Sequence, residues 1–65
     1  MRIDRVKLIA EMARQDIGVQ ELAEKAGVSA SVVSALRGGK SCTANTAGHV
    51  ARALGVSVEE LKEGE

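Results

Sequence analysis

The 65-residue chain contains no Phe, Tyr, Trp or Pro, and it has a single cysteine. Without aromatic rings there is no stacking platform for single-stranded nucleic acid, which argues against RNA-recognition and oligonucleotide-binding folds. One cysteine excludes an intrachain disulfide and a zinc site of several thiolates, and it fits a reducing cytoplasm. No apolar run approaches transmembrane length, and the N-terminus lacks a signal-peptide core. We therefore expect a cytoplasmic protein with no membrane partner.

The chain has no excess of positive charge: its formal net charge is zero. That value alone does not favour a nucleic-acid partner. The charges are nonetheless unevenly distributed along the chain. No acidic residue occurs between Lys25 and Val58, an interval that contains Lys25, Arg37, Lys40 and Arg52. The middle of the chain is locally positive, which favours an anionic partner over a chance segregation of charge.

Residues 20–40, QELAEKAGVSASVVSALRGGK, have the pattern of two short helices joined by a glycine turn. Gly27 suits the left-handed conformation that ends many helices. Ser29 provides an N-cap oxygen for the helix that follows. We predict helix two over about 19–26 and helix three over about 30–37.

One side of helix three has small side chains with little polarity. Val33 and Leu36, three positions apart, mark the side expected to be buried. Two short helices with a tight turn form a helix-turn-helix, and the major groove of DNA is about as wide as one α-helix. The exposed side of helix three is therefore a candidate for insertion into that groove.

Three further helices flank this pair. Asp4 is a suitable N-cap for helix one, whose apolar stripe contains Val6, Ile9, Ala13 and Ile17 and is widened by Leu8 and Met12. Thr43 is the expected N-cap of helix four, over about 44–54, with a buried side made of Ala47, Val50, Ala51 and Leu54. Ser57 and Glu60 have the spacing of a capping box for helix five, from which Leu61 faces inward. The sequence thus predicts one compact all-α domain over residues 1–65, with a core over about 4–62 and a frayed tail over 63–65.

The order of these elements resembles the Cro/cI-type (XRE, lambda-repressor-like) helix-turn-helix family. The similarity lies in ELAEKAGVSASVVSALRGGK followed by TAGHVARALGVSVEEL and covers about residues 6–61. Members of that family are compact all-α domains that bind duplex DNA, commonly as dimers. The resemblance implies a five-helix lambda-repressor-like domain whose helices two and three form the helix-turn-helix.

The resemblance also implies positions that contact DNA. The outward side of helix three is expected to face base edges, whereas the loop after it and the start of helix four are expected to follow the phosphate backbone. The implied residues are Val19, Gln20, Ser29, Ala30, Ser31, Ser34, Ala35, Arg37, Lys40, Ser41, Thr43 and Asn45.

The chain departs from the family pattern at two places. Val19 stands where relatives often have a phosphate-contacting glutamine, a role that Gln20 could partly replace. Met12 and Arg37 stand where many relatives have an arginine on helix one and a glutamate at the end of helix three. The second departure leaves Arg37 free to reach a phosphate.

The groove-facing side chains offer limited chemistry for choosing a sequence. Ser31 and Ser34 can hydrogen-bond without strong base preference, and alanines can only pack on a thymine methyl group. No Arg, Asn or Gln lies at the tip of helix three to make a bidentate base contact. We expect modest affinity and specificity per monomer, both raised by dimerisation and by DNA shape.

Catalysis and metal binding have little support in the sequence. Cys42 and His49 could be a nucleophile and a base, but no third group orients them, so we expect no enzyme. Two ligands are also fewer than zinc normally takes, so we expect neither a metal nor another cofactor.

Two classes of function remain open. The favoured one is a sequence-specific double-stranded DNA-binding regulator, such as a phage-like or mobile-element repressor or an antitoxin. The alternative is a protein-interaction module that keeps the fold with weak or lost DNA binding. A homodimer is expected, with a seam near helix five and the loop before helix four that uses Val58 and Leu61. A toxin or an anti-repressor is a possible protein partner.

Overall fold

The structure, a computed structural model, describes residues 1–64. It contains five helices: α1 (Arg5–Arg14), α2 (Val19–Ala26), α3 (Ala30–Arg37), α4 (Ala44–Leu54) and α5 (Val58–Leu61). The predicted all-α fold is confirmed, and α2 packs against α3 to form the helix-turn-helix. Of the tail predicted to fray, Glu65 lies outside the described residues. No helix within 1–64 has the length and apolar content needed to cross a bilayer.

The helices begin where the sequence provides an oxygen for the unpaired amides of the first turn. The carboxylate of Asp4 accepts from the amides of Val6 and Lys7 at the start of α1. The hydroxyl groups of Ser29 and Thr43 accept in the same way at the starts of α3 and α4. The predicted caps therefore determine where these helices begin.

Two glycines end helices in the left-handed conformation. Gly27 has a φ of 72° at the end of α2, and Gly55 has a φ of 74° at the end of α4. In each case the next residue turns back onto its own helix, as the amide of Val28 donates to the carbonyl of Ala23 over 3.0 Å. The chain can thus reverse within a few residues, and α3 follows α2 closely.

Aliphatic side chains from all five helices form one core. Leu8, Leu22, Val33 and Val50 are fully buried, and Leu61 is 2% exposed. The buried sides predicted for α3 and α4 are confirmed. Because Leu61 is buried, it cannot contribute to a dimer seam as proposed from the sequence.

The buried side of α1 differs from the predicted stripe. Leu8, Met12 and Ile17 are buried as expected, but Val6 is 67% exposed and Ile9 is 37% exposed. Ala13 is exposed as well. The reason lies outside the helix, because Ile3 before α1 and Ile17 after it are both buried and fix which side faces inward. An outward apolar strip made of Val6, Ile9 and Ala13 results.

The first four residues form an extended segment that the sequence analysis did not predict. Ile3 is buried there and pairs with Lys62 in an isolated antiparallel bridge, while Arg2 pairs with Ser41 in another. The amide of Asp4 donates to the carbonyl of Leu61 over 2.8 Å. This segment therefore joins the loop before α4 to the end of α5.

Candidate nucleic-acid interface

The outward side of α3 is open to solvent. Ser31 and Ser34 are exposed, whereas Ala30 and Ala35 are half-buried. On the inward side Val33 is fully buried against the core. The helix is therefore anchored along one side and presents small side chains along the other, so a DNA groove could approach its backbone closely.

The turn before α3 fixes the start of this surface. Ser29 is exposed, and its Oγ accepts from the amide of Val32 over 3.2 Å. The oxygen is used as a cap, while the hydroxyl hydrogen remains able to donate to a phosphate. Ser29 thus serves the fold first, and any DNA contact comes in addition.

At the start of α2 the two predicted contact residues differ. Val19 is half-buried and packs against the core, whereas Gln20 is exposed. Gly18 caps the helix without a side-chain hydrogen bond. Of the two side chains, Gln20 alone can hydrogen-bond to an anion at this end of α2, together with the free amides of the first turn.

The end of α3 and the loop after it present two cations. Arg37 and Lys40 are exposed, and neither forms an ion pair with a residue among 1–64. The amide of Lys40 donates to the carbonyl of Ala35 over 3.0 Å, which ties the loop to the last turn of α3. Ser41 is exposed beside them.

Beyond the loop, the last two predicted residues lie at the start of α4. Thr43 and Asn45 are both exposed. Oγ1 of Thr43 accepts from the amide of Thr46 over 3.1 Å, so this oxygen acts as the cap of α4. Asn45, the second residue of α4, forms no side-chain hydrogen bond within residues 1–64, in contrast to Thr43.

Two arginines that the sequence analysis did not select lie beside the same loop. The guanidinium Nη2 of Arg2 donates to the carbonyl of Gly39 over 3.0 Å. The Cδ atom of Arg5 lies 3.6 Å from the point that a Cβ on Gly39 would occupy. These contacts join residues far apart in sequence, and no local pattern around Arg2 or Arg5 signals them.

The other residues with reactive or titrating side chains do not form a site. Cys42 is half-buried and His49 is exposed. No group of three His, Cys, Asp or Glu side chains converges within 1–64 as a metal site would require. Hydrogen bonds from Gln15 and then Arg14 lower the pKa of Glu11, which lies in the C-terminal half of α1 rather than beside Gly39.

Comparison with protein families gives one match over most of the chain. The model described as the Cro/C1-type HTH DNA-binding domain matches residues 7–63. A search of curated proteins found no match.

Solved structures of larger proteins contain a similar unit. A variant of hydroxyethylphosphonate dioxygenase aligns with a TM-score of 0.87 and 28% identity. Native PhpD with cadmium atoms aligns with a TM-score of 0.84 and 26% identity. In both cases the alignment covers 98% of this chain but only 14% of the other one. The chain thus spans about a seventh of the length of these proteins and matches only a helical part of them.

Proposed function

The chain belongs to the Cro/C1-type helix-turn-helix DNA-binding domain family, and we propose that it is a sequence-specific regulator of transcription that inserts α3 into the major groove of duplex DNA. The observation that supports this most directly is the open outward side of α3, with Ser31 and Ser34 exposed. The unpaired cations Arg37, the last residue of α3, and Lys40, in the loop after it, come next in the chain. Affinity for DNA comes mainly from cations at phosphates, and sequence choice comes from groups in the groove.

In this proposal the contacts divide into two sets. Ala30, Ser31, Ser34 and Ala35 face the base edges. The other predicted residues lie along the phosphate backbone, namely Val19 through its amide, Gln20, Ser29, Arg37, Lys40, Ser41, Thr43 and Asn45. Because the groove-facing set contains only serines and alanines, its hydrogen bonds discriminate weakly between bases.

A dimer would compensate for this weak discrimination. Two copies could contact half-sites one helical turn apart and add their contacts to phosphates. With Leu61 buried, the half-buried Val58 is what remains of the apolar seam suggested by the sequence. We propose that the protein acts in the cytoplasm, at the nucleoid of a bacterium, as a phage-like repressor or as an antitoxin with a protein partner.

The alternative is an interaction module without DNA binding. It is favoured by the net charge of zero and by the occurrence of a similar five-helix unit inside much longer chains, one of which is a dioxygenase. In that role a protein surface rather than a nucleic acid would cover the outward side of α3.

Salt dependence separates the two functions. Duplexes selected from a random pool are titrated with the chain at several salt concentrations. A phosphate-driven complex weakens steeply as salt rises, with a slope of about 0.9 per neutralised phosphate in a double logarithmic plot. An Arg37→Glu, Lys40→Glu double variant should lose binding, while an Arg52→Glu variant should retain it. Failure to select any duplex, or binding that is indifferent to salt, would favour the interaction module.

A further inference from the structure

We propose that Arg5 is an additional phosphate-binding residue of the DNA interface, held in place beside the Gly38–Gly39 turn. This inference rests on the proposed function and extends the interface to the N-terminal part of the chain. It assigns a ligand, a phosphate group of duplex DNA, to a side chain that sequence analysis did not select.

The stem of Arg5 lies against the turn that directly precedes Lys40. Its Cδ is 3.6 Å from the point that a Cβ on Gly39 would occupy. A cleft of about 490 Å³ opens at this point, and its walls include Arg2, Arg5 and the two glycines Gly38 and Gly39. Gly38 and Gly39 contribute only main-chain atoms to the wall, so neither projects a side chain into the cleft.

The guanidinium group of Arg5 is available to a ligand. Among the described residues, Arg5 forms neither an ion pair nor a hydrogen bond through its side chain. Arg2, in contrast, is occupied, because its Nη2 donates to the carbonyl of Gly39 and its Nε lies 3.7 Å from the carboxylate of Glu63. Arg2 holds the turn in place, and Arg5 keeps its donors free for an external anion.

Neither acid that lines this cleft forms an ion pair with Arg5. Two carboxylates belong to its walls, those of Asp4 and Glu63. Asp4 accepts from the amides at the start of α1, and Glu63 lies beside Arg2. A guanidinium with five donors and no internal partner is well suited to bind a phosphate oxygen pair. Arg5 thus adds a second cation near Gly39, the residue that precedes Lys40 in the chain.

A purely structural role for Arg5 predicts a different outcome. A cation near the C-terminus of a helix is stabilised by the partial negative charge there, and α3 ends beside this turn. If this were its entire role, removing the charge would lower the stability of the fold and leave the number of neutralised phosphates unchanged.

The test measures the salt dependence of binding to a mixed-sequence duplex of roughly two helical turns, long enough for two half-sites. Arg5→Gln should reduce the slope of log K against log[salt] by about 0.9, which is the value for one phosphate, and Arg5→Lys should restore it. Arg52→Gln is the matched control, because Arg52 is exposed and unpaired within 1–64 but lies in the last turn of α4. Thermal unfolding of each variant shows that the fold is retained.

An unchanged slope in Arg5→Gln, with normal binding by the unmodified chain, would overturn this inference and leave the proposed function standing. An equal loss of slope in Arg5→Gln and Arg52→Gln would also overturn it, because the effect would then come from net charge alone. If the unmodified chain binds no duplex at all, the proposed function itself fails, and the role of Arg5 fails with it.

Discussion

The guanidinium of Arg2 donates to the main-chain carbonyl of Gly39 over 3.0 Å, across 37 positions of the sequence. Close by, the amide of Cys42 donates to the carbonyl of Met1 over 2.9 Å. The loop that follows α3 is therefore held by the first residues of the chain. Because this loop contains Lys40, the N-terminal segment contributes to the shape of the proposed DNA-binding surface.

Removal of the Arg2 side chain should loosen this loop. In Arg2→Ala the free energy of unfolding should fall by only about 0.5–1 kcal/mol, because the side chain is largely exposed. The amide hydrogen of Cys42 should exchange with solvent faster, since its pairing with Met1 depends on the same segment. Hydrogen exchange followed by NMR tests this, with Arg52→Ala as control. Equal exchange rates in Arg2→Ala and the unmodified chain would contradict the role given to Arg2.

The orientation of α1 predicts a large loss of stability at one position near its start and almost none at another. Leu8 is fully buried and Val6 is 67% exposed. Leu8→Ala should lower the free energy of unfolding by about 2–5 kcal/mol, as expected for a buried leucine. Val6→Ala should change it by less than about 0.5 kcal/mol. Chemical denaturation of both variants measures the difference, and a comparable loss in the two would indicate that α1 presents its other side to the core.

Two glycines should respond to alanine with opposite signs. Gly27 has a φ of 72°, so an alanine there is strained by about 1 kcal/mol even though no atom lies within 4 Å of the new Cβ. Gly48 lies inside α4, and the space around its Cβ position is also open. Gly48→Ala should raise the free energy of unfolding by about 0.5–1 kcal/mol, because alanine favours the helix. Thermal unfolding of the two variants tests this: the melting temperature should fall in Gly27→Ala and rise in Gly48→Ala.

The carboxylate of Glu11 should make stability depend on acid. Hydrogen bonds from Gln15 and Arg14 hold the pKa of Glu11 below its ordinary value of 4.5. The ionised group is therefore stabilised in the folded state, and its contribution is fully present above pH 4.5 and lost as the pH falls through the lowered pKa. The same Gln15 amide also donates to the carbonyl of Leu54 over 2.7 Å, which links α1 to the end of α4.

Melting temperatures recorded between neutral and acidic pH test this contribution. In a plot of melting temperature against pH, Glu11→Gln should reduce the fall at acidic pH. Glu24→Gln, on the exposed side of α2, is the matched control. A curve for Glu11→Gln that matches that of the unmodified chain would show that the hydrogen bonds of Glu11 do not contribute to acid sensitivity.

The helix bounds could be predicted from the sequence because their determinants are local. Asp4, Ser29 and Thr43 each provide a cap within three residues of the amides they bind, and Gly27 and Gly55 provide the left-handed ends. Such signals need no knowledge of the rest of the fold.

The inward side of α1 and the role of the N-terminus could not be predicted in this way. Val6, Ile9 and Ala13 repeat at helical spacing as well as Leu8 and Met12 do, and only the burial of the flanking residues Ile3 and Ile17 decides between the two sets. The contacts of Arg2 and Arg5 with Gly39 arise from chain topology. The sequence therefore indicates candidate contact residues on α3 and its loop, whereas it gives no sign of the contacts that depend on pairing of distant segments.

Amide chemical shifts, recorded while the isotope-labelled chain is titrated with a selected duplex, show whether α3 forms the DNA interface. The largest changes should fall on Ser29 to Asn45, with smaller ones at Arg5 and at the start of α2. The second half of α1 and α5 should change little. Changes concentrated on the exposed strip of Val6, Ile9 and Ala13, or none at any position, would contradict a DNA interface formed by α3.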